Sequence, residues 1–332
     1  MEIIVILCIV IALGFDFLNG MNDSANSIAT IVTTRVLSPK AAVLWAAFWN
    51  FAAAFILGLH VANTIGKGII NPSIVNEYFI LASLIGGISW VYFCTHFGLP
   101  ISVSHSLIGG LIGPAIVVGG TKYLIGSGIF KVSIFIFLSP MLGFIIAFLM
   151  MSLTMYIFKN KSPYKVDSFF RVMQLVSSAI FSLGHGGNDA QKTMGIITML
   201  LFSTGYLGGE FHVPLWVIFA SYSAIAIGTY AGGWKVIKTL GTGLTDLRPV
   251  HGFNAETAGA ITVIANTLMG IPVSTTHTIT GSIMGVGATR RFSAVRWKVA
   301  ANIVTAWFLT IPAAMLISML VYWIMTLLIP SL

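Results

Sequence analysis

The residues best suited to chemistry in this 332-residue chain come in two matched sets, one in each half. The stretch ISVSH at 101–105 returns as VSTTH at 273–277, each just after a Gly-x-Pro. Pro100 and Pro272 cannot continue a helix from the arm before them, so Ser102 and Ser104, or Ser274, Thr275 and Thr276, open a new one. Hydroxyls at a helix start cap free N–H groups. Such a terminus attracts anions, phosphate above all. A second set pairs amide with carboxylate: Asn22-Asp23 and Asn188-Asp189, preceded by Gly20 and by Gly184, Gly186 and Gly187. The glycines predict a bend or unwound turn inside each helix. Carboxylate, amide and freed backbone oxygens around such a break are what a small hard cation needs. Asn26 and Thr30 extend a polar stripe one and two turns beyond Asn22, while Lys192 and Thr193 follow Asp189 by three and four. The hydroxyl tips, Ser102, Ser104, Ser274, Thr275 and Thr276, are the candidates for an oxyanion. A cation falls to Asp23, Asp189, Asn22, Asn26, Asn188 and Thr193.

Each assignment has a plainer competitor. Hydroxyls at one tip alone would be expected to bond back to their own helix; the repetition, with Pro and His at matched places, favours a shared pocket. An Asp189–Lys192 ion pair that only staples helices would explain Lys192, but not Asp23, which has no basic neighbour on its helix. Glu256 is an acid at membrane depth without a twin, its counterpart being Leu84. It is a further cation ligand, a proton acceptor, or a residue of the inner mouth. Asp16, aligned with Ser182, is likewise unpaired. His105 and His277 are twinned and are expected to pack and bond a neighbouring carbonyl, with substrate contact as the second reading.

The elements that position these residues are membrane helices. The chain is 57% hydrophobic and 8% charged, against roughly 25% charged in a soluble domain. A net charge of +8 would suggest nucleic acid in a soluble protein. Here the basic residues occupy short loops, where they set orientation, and no nucleic-acid partner is expected. The N-terminal stretch has no basic n-region or small-residue cleavage site and reads as a first helix. Cys8 and Cys94 lie in apolar stretches with no disulfide or metal spacing; no cofactor is expected. Apolar segments fall near 3–33, 41–62, 79–97, 104–120, 132–158, 169–204, 213–233, 252–270, 276–288 and 299–330.

Three blocks recur in order: NGMND with HGGND, TIGKGI (64–69) with TLGTGL (239–244), and the two hydroxyl tips, at offsets of 166 to 175 residues. An all-α polytopic membrane protein of two repeats follows, 1–158 and 169–332, joined by a basic cytoplasmic connector at 159–168. Each repeat is expected to hold a broken helix and a re-entrant helical hairpin that meet at a central site. With both termini outside, 13 Lys and Arg fall inside and 3 outside, with Lys192 in the membrane. That alternation is what an inverted repeat predicts in a plasma (inner) membrane.

The paired G-x-N-D stretches (20–23, 186–189) and paired P-x-S-x-[ST]-H stretches (100–105, 272–277) resemble the inorganic phosphate transporter (PiT) family. GGNDAQKTMGII (186–197) is similar to its prokaryotic branch, which often has Gln-Lys where other members keep Ala-Asn, and GFNAE (252–256) also resembles a family segment. The resemblance covers both halves in order. It implies secondary import of inorganic phosphate driven by Na⁺ or H⁺, an inverted-repeat fold with two hairpins at the site, a homodimer, and a shared site in which Asn22, Asn188 and Asp189 join Ser102, Ser104, Ser274, Thr275 and Thr276 on phosphate, with Asp23 on the cation. Many eukaryotic members carry Glu where this chain has Asn63, and another acid where it is apolar near Leu84. Three rivals stand beside this reading: a sulfate or other oxyanion symporter, an anion channel, and an intramembrane hydrolase using Ser104 or Ser274 with His105 or His277. Twin sites argue against the hydrolase, since an enzyme needs one nucleophile with one base.

Overall fold

A computed structural model describes residues 1–329; the last three residues of the predicted second repeat, and the end of its last apolar segment, lie outside the described residues. The described residues are mostly helical, as membrane segments must be where the bilayer offers backbone groups no other partner. Twelve helices are described: α1 (Ile3–Thr33), α2 (Pro39–Ala52), α3 (His60–Gly68), α4 (Glu77–Phe97), α5 (Val103–Gly119), α6 (Gly126–Phe158), α7 (Pro163–Ser203), α8 (Leu215–Ala231), α9 (Trp234–Gly243), α10 (Pro249–Leu268), α11 (Thr275–Ala288) and α12 (Trp297–Leu328). Six are long and apolar enough to cross a membrane, or up to eight spans if each bent pair counts as one.

The order of α1–α6 repeats in α7–α12: a long helix, a bent pair, a hairpin, and a long final helix. Contacts between the halves are exchanged in kind. Helix α5 packs on α12 and α11 on α6; α3 packs on α7 and α9 on α1. The second hairpin helix of each half thus packs on the final helix of the other, and the short helix of each bent pair on the long first helix of the other. Each final helix carries a proline at the matched place, Pro140 and Pro312. Gly281 lies against the Pro140 backbone and Gly109 against that of Ile311, so each hairpin is seated on the other half by a small residue.

One expectation is corrected. Helices α1 and α7 run unbroken through Gly20–Asp23 and Gly184–Asp189. The glycines serve close approach instead of unwinding. Gly20 lies against the Ile225 carbonyl of α8, Gly186 against the Asn50 backbone of α2, and Gly187 against Leu57. The breaks fall one segment later, between α2 and α3 (80°) and between α8 and α9 (69°). In the second, Gly232 takes a φ of 72° that a side chain would resist. Between α6 and α7 only residues 159–162 are non-helical, because Pro163 is the first residue of α7, a position where its missing N–H costs nothing.

Candidate functional site

The two tips are near copies. Ser102 and Ser274 are the N-caps of α5 and α11, with φ/ψ of −91°/109° and −85°/110°. Each hydroxyl accepts the N–H three residues on, His105 N and His277 N, both at 3.2 Å. These two serines therefore do the capping that any helix start asks for. Each tip is entered through a left-handed glycine, Gly98 (φ 70°) and Gly270 (φ 67°).

The remaining tip hydroxyls meet the Asn-Asp pairs. Thr276 Oγ1 donates to Asp23 Oδ1 at 3.1 Å. Thr275 Oγ1 lies 3.5 Å from Asp23 Oδ2 and 3.3 Å from Asp189 Oδ2, between the carboxylates of the two halves. Asn26 Nδ2 donates to Thr275 Oγ1 (3.2 Å) and Thr276 Oγ1 (3.0 Å). Lys192 Nζ bonds Asp189 Oδ1 at 2.5 Å, Ser104 Oγ, and the Val273 carbonyl at 3.0 Å. Ser104 in turn donates to Val273 O at 3.4 Å, so the tips also touch each other. None of these residues is more than 4% exposed, so the centre is closed to both sides.

Asn22 and Asn188 behave as twins. Asn22 Nδ2 donates to Thr95 Oγ1 of its own hairpin (2.6 Å), and Asn188 Nδ2 to Thr267 Oγ1 (2.8 Å) and Ile271 O (3.3 Å). The amide oxygens of Asn22, Asn26 and Asn188 are buried without a hydrogen-bond partner. These unpaired oxygens, on the helices that carry the two carboxylates, have the chemistry of ligands for a small hard cation. Beside Thr95, a cavity of about 280 Å³ is lined by Met21, Tyr92, His96, Trp234 and Lys235.

Other expected residues fall elsewhere. Thr193 is buried one helical turn beyond Asp189, its hydroxyl without a hydrogen-bond partner among the described residues. Glu256 does not face a mouth: it is fully buried and accepts from Thr30 Oγ1 (2.5 Å), Gln174 Nε2 (2.9 Å) and Ser177 Oγ (2.5 Å). The rings of His105 and His277 meet edge to face at 4.9 Å, and His277 stacks on Trp307 at 3.7 Å. His277 Nδ1 lies 3.4 Å from the Ile136 carbonyl, which Pro140 leaves without its helical N–H. Ser104 and His105 thus point to different partners, and among the described residues no serine hydroxyl bonds a histidine ring.

Sequence reading passed over His185. Its Nδ1 lies 3.6 Å from Asp189 Oδ2 and 3.2 Å from Thr275 Oγ1. With Asp23 and Asp189 it offers three ligand atoms within 4.8 Å of one another. The signal was present: His185 opens the HGGND block, one helical turn before Asp189.

A membrane-embedded bundle closed around a charged, hydroxyl-lined centre defines a transporter and not an enzyme. The chain belongs to the phosphate transporter family, whose sequence profile matches residues 19–318. It is 56% identical over 315 residues to a probable low-affinity inorganic phosphate transporter of Rhizobium meliloti (strain 1021), covering 95% of this chain and 94% of that one. A protein of the same description from Bacillus subtilis (strain 168) is 40% identical, with 97% of each chain covered. Among solved structures, one described as the sodium-dependent phosphate transporter superposes with a TM-score of 0.91 at 27% identity, over 98% of this chain and all of the other.

Proposed function

We propose that this protein imports inorganic phosphate together with Na⁺ by alternating access, its two halves being inverted repeats with both termini outside the plasma membrane. The homodimer implied by the family resemblance belongs to the same reading. One observation carries it: Asp23 and Asp189, from opposite halves, meet across the hydroxyl of Thr275.

Phosphate near neutral pH carries between one and two negative charges, and burying it unpaired costs more than hydrogen bonds return. The two carboxylates cannot receive it alone. Cations at the Asp23–Asp189 pair offset both charges, so phosphate and cation each raise the other's affinity. An inward-negative potential opposes anion entry by about 2.3 kcal/mol per charge per 100 mV. Matching cations remove that penalty, and one more makes the potential a driving force. Family membership favours phosphate over sulfate, and a closed centre with paired carboxylates argues against an anion channel.

The test is uptake of labelled phosphate by purified protein in liposomes, with Na⁺ and pH gradients imposed separately. Acceleration by an inward Na⁺ gradient at equal pH is expected, with little competition from sulfate. Uptake driven by the pH gradient alone would replace Na⁺ by H⁺ as the coupling ion. Uptake unchanged by Asp23→Asn would remove the carboxylate pair from the mechanism.

A further inference from the structure

We infer that the ammonium of Lys192 is a tethered coupling cation: it occupies one of two pseudo-equivalent cation positions, so this chain loads one fewer diffusible Na⁺ than its duplicated architecture provides for. The inference rests on the cation–phosphate reading above and specifies its cation side.

Three observations converge. First, the partners of Lys192 Nζ are a carboxylate oxygen of Asp189, the hydroxyl of Ser104 and the carbonyl of Val273. Carboxylate, hydroxyl and backbone carbonyl are the all-oxygen ligands that a small hard cation takes. They also use every proton the ammonium has. Second, the same offset that relates Asp23 to Asp189 relates Asn26 to Lys192. The position three residues after each aspartate thus carries a neutral amide in one half and a cation in the other. The Asn26 amide donates to the hydroxyls of Thr275 and Thr276 while its oxygen stays unpaired. That oxygen has the chemistry of a cation ligand; an ammonium has the chemistry of the cation itself. Third, Lys192 touches both tips, Ser104 of one and Val273 of the other, together with Asp189 of the long helix. A cation that must arrive before the tips can close would make these same contacts.

Charge follows. The buried Asp16 bonds neither tip among the described residues; of the charged side chains that hydrogen-bond the tips, Asp23, Asp189 and Lys192, one carboxylate is left without a cation. A single diffusible cation neutralises it, where a half built symmetrically with Asn would need a second. A simple staple predicts that removing Lys192 weakens the fold and adds nothing. A tethered cation predicts that it creates a requirement for Na⁺.

The experiment is binding of radiolabelled Na⁺ to purified protein without phosphate, in the wild type, Lys192→Asn and Lys192→Met. Lys192→Asn restores the residue that the other half uses. It is expected to bind one more Na⁺ per chain than wild type and to show a steeper Na⁺ dependence of phosphate uptake. Lys192→Met supplies no ligand, and its affinity for the added Na⁺ should fall at least tenfold below that of Lys192→Asn, in line with a lost ligand. Equal Na⁺ binding in wild type and Lys192→Asn overturns the inference. So does an added Na⁺ in Lys192→Met with the affinity of Lys192→Asn. Should Lys192→Asn be poorly folded, the same comparison is made on Lys192→Asn in the presence of saturating Na⁺, where a Na⁺-dependent rise in melting temperature larger than that of wild type is expected; an equal rise overturns the inference. Because phosphate is absent, a gain in Na⁺ binding is read independently of whether Na⁺ or H⁺ drives wild-type uptake.

Discussion

The hydroxyl of Thr64 donates to the carbonyl of Gly270 across 2.7 Å, joining the bent second segment of one half to the hairpin tip of the other. The reverse bond exists as well: Thr239 of α9 donates to Gly98 O at 2.9 Å. Both acceptors are the left-handed glycines that turn the chain into a tip. Each tip is therefore held by the short helix of the opposite half, and the helix breaks at 80° and 69° are what bring α3 and α9 there.

Removing these two bonds should loosen the closed state without touching the centre. A bond of this kind contributes about 1 kcal/mol, roughly fivefold in the population of the closed tip. Thr64→Val with Thr239→Val is expected to change the maximal rate of phosphate uptake several-fold while Na⁺ binding in the absence of phosphate stays near wild type. Rate and binding measured on the same preparation check it; a pure loss of Na⁺ binding would place the threonines in the site itself.

Asp23 and Asp189 should differ in what their removal costs. Asp189→Asn strands the buried ammonium of Lys192, whose partner lies 2.5 Å away. Breaking a buried pair in this way costs about 3–5 kcal/mol. Asp23 bonds only hydroxyls among the described residues, so Asp23→Asn strands no charge. Both variants should lose Na⁺-dependent uptake, but only Asp189→Asn should melt well below wild type. Adding Lys192→Met to Asp189→Asn should recover most of that stability and none of the transport. Thermal unfolding in detergent beside liposome uptake decides it.

These contrasts show what was and was not legible in the sequence. The Gly-x-Pro tips were readable, since a proline followed by hydroxyls announces a helix start wherever it falls. The Asn-Asp pairs were readable too, because a carboxylate in a bilayer needs a partner. The glycines beside them were misread as bends. A glycine in a helix signals either a break or a close neighbour, and the neighbour of Gly20 is Ile225, two hundred residues on. The true breaks, near Gly58 and at Gly232-Gly233, sit among many other glycines and carry no polar mark. His185 stayed hidden because its partner Asn19 in the other half is not a histidine, so matching the halves passed over it. The buried partners of Glu256, Gln174 and Ser177, lie on α7 far along the chain, beyond any local pattern.

The histidine twins should prove to be packing groups. Their rings contact each other and Trp307, while His105 Nδ1 and His277 Nε2 have no partner. Replacing an aromatic ring by alanine in a closed core costs about 3–5 kcal/mol. His277→Ala is expected to be that unstable, while His105→Phe, which keeps ring contact and volume, should retain most phosphate uptake. Loss of uptake in His105→Phe with a normal melting temperature would assign the imidazole to substrate instead.

Orientation is open to a chemical test because both native cysteines, Cys8 and Cys94, are buried. The inverted arrangement puts Lys67, in the last turn of α3, on the outer side and Arg291 in an inner loop. Both side chains are exposed, so cysteine introduced at either position should be freely reachable from its own side. In right-side-out vesicles an impermeant maleimide should label Lys67→Cys and leave Arg291→Cys untouched until the membrane is opened. Lys67 ends the bent pair of the first half and Arg291 follows the hairpin of the second, so inverted halves put them on opposite sides and parallel halves on the same side. If both were labelled from outside, the halves would run through the bilayer in an order that the basic loops do not set, and the inverted repeat would have to be abandoned.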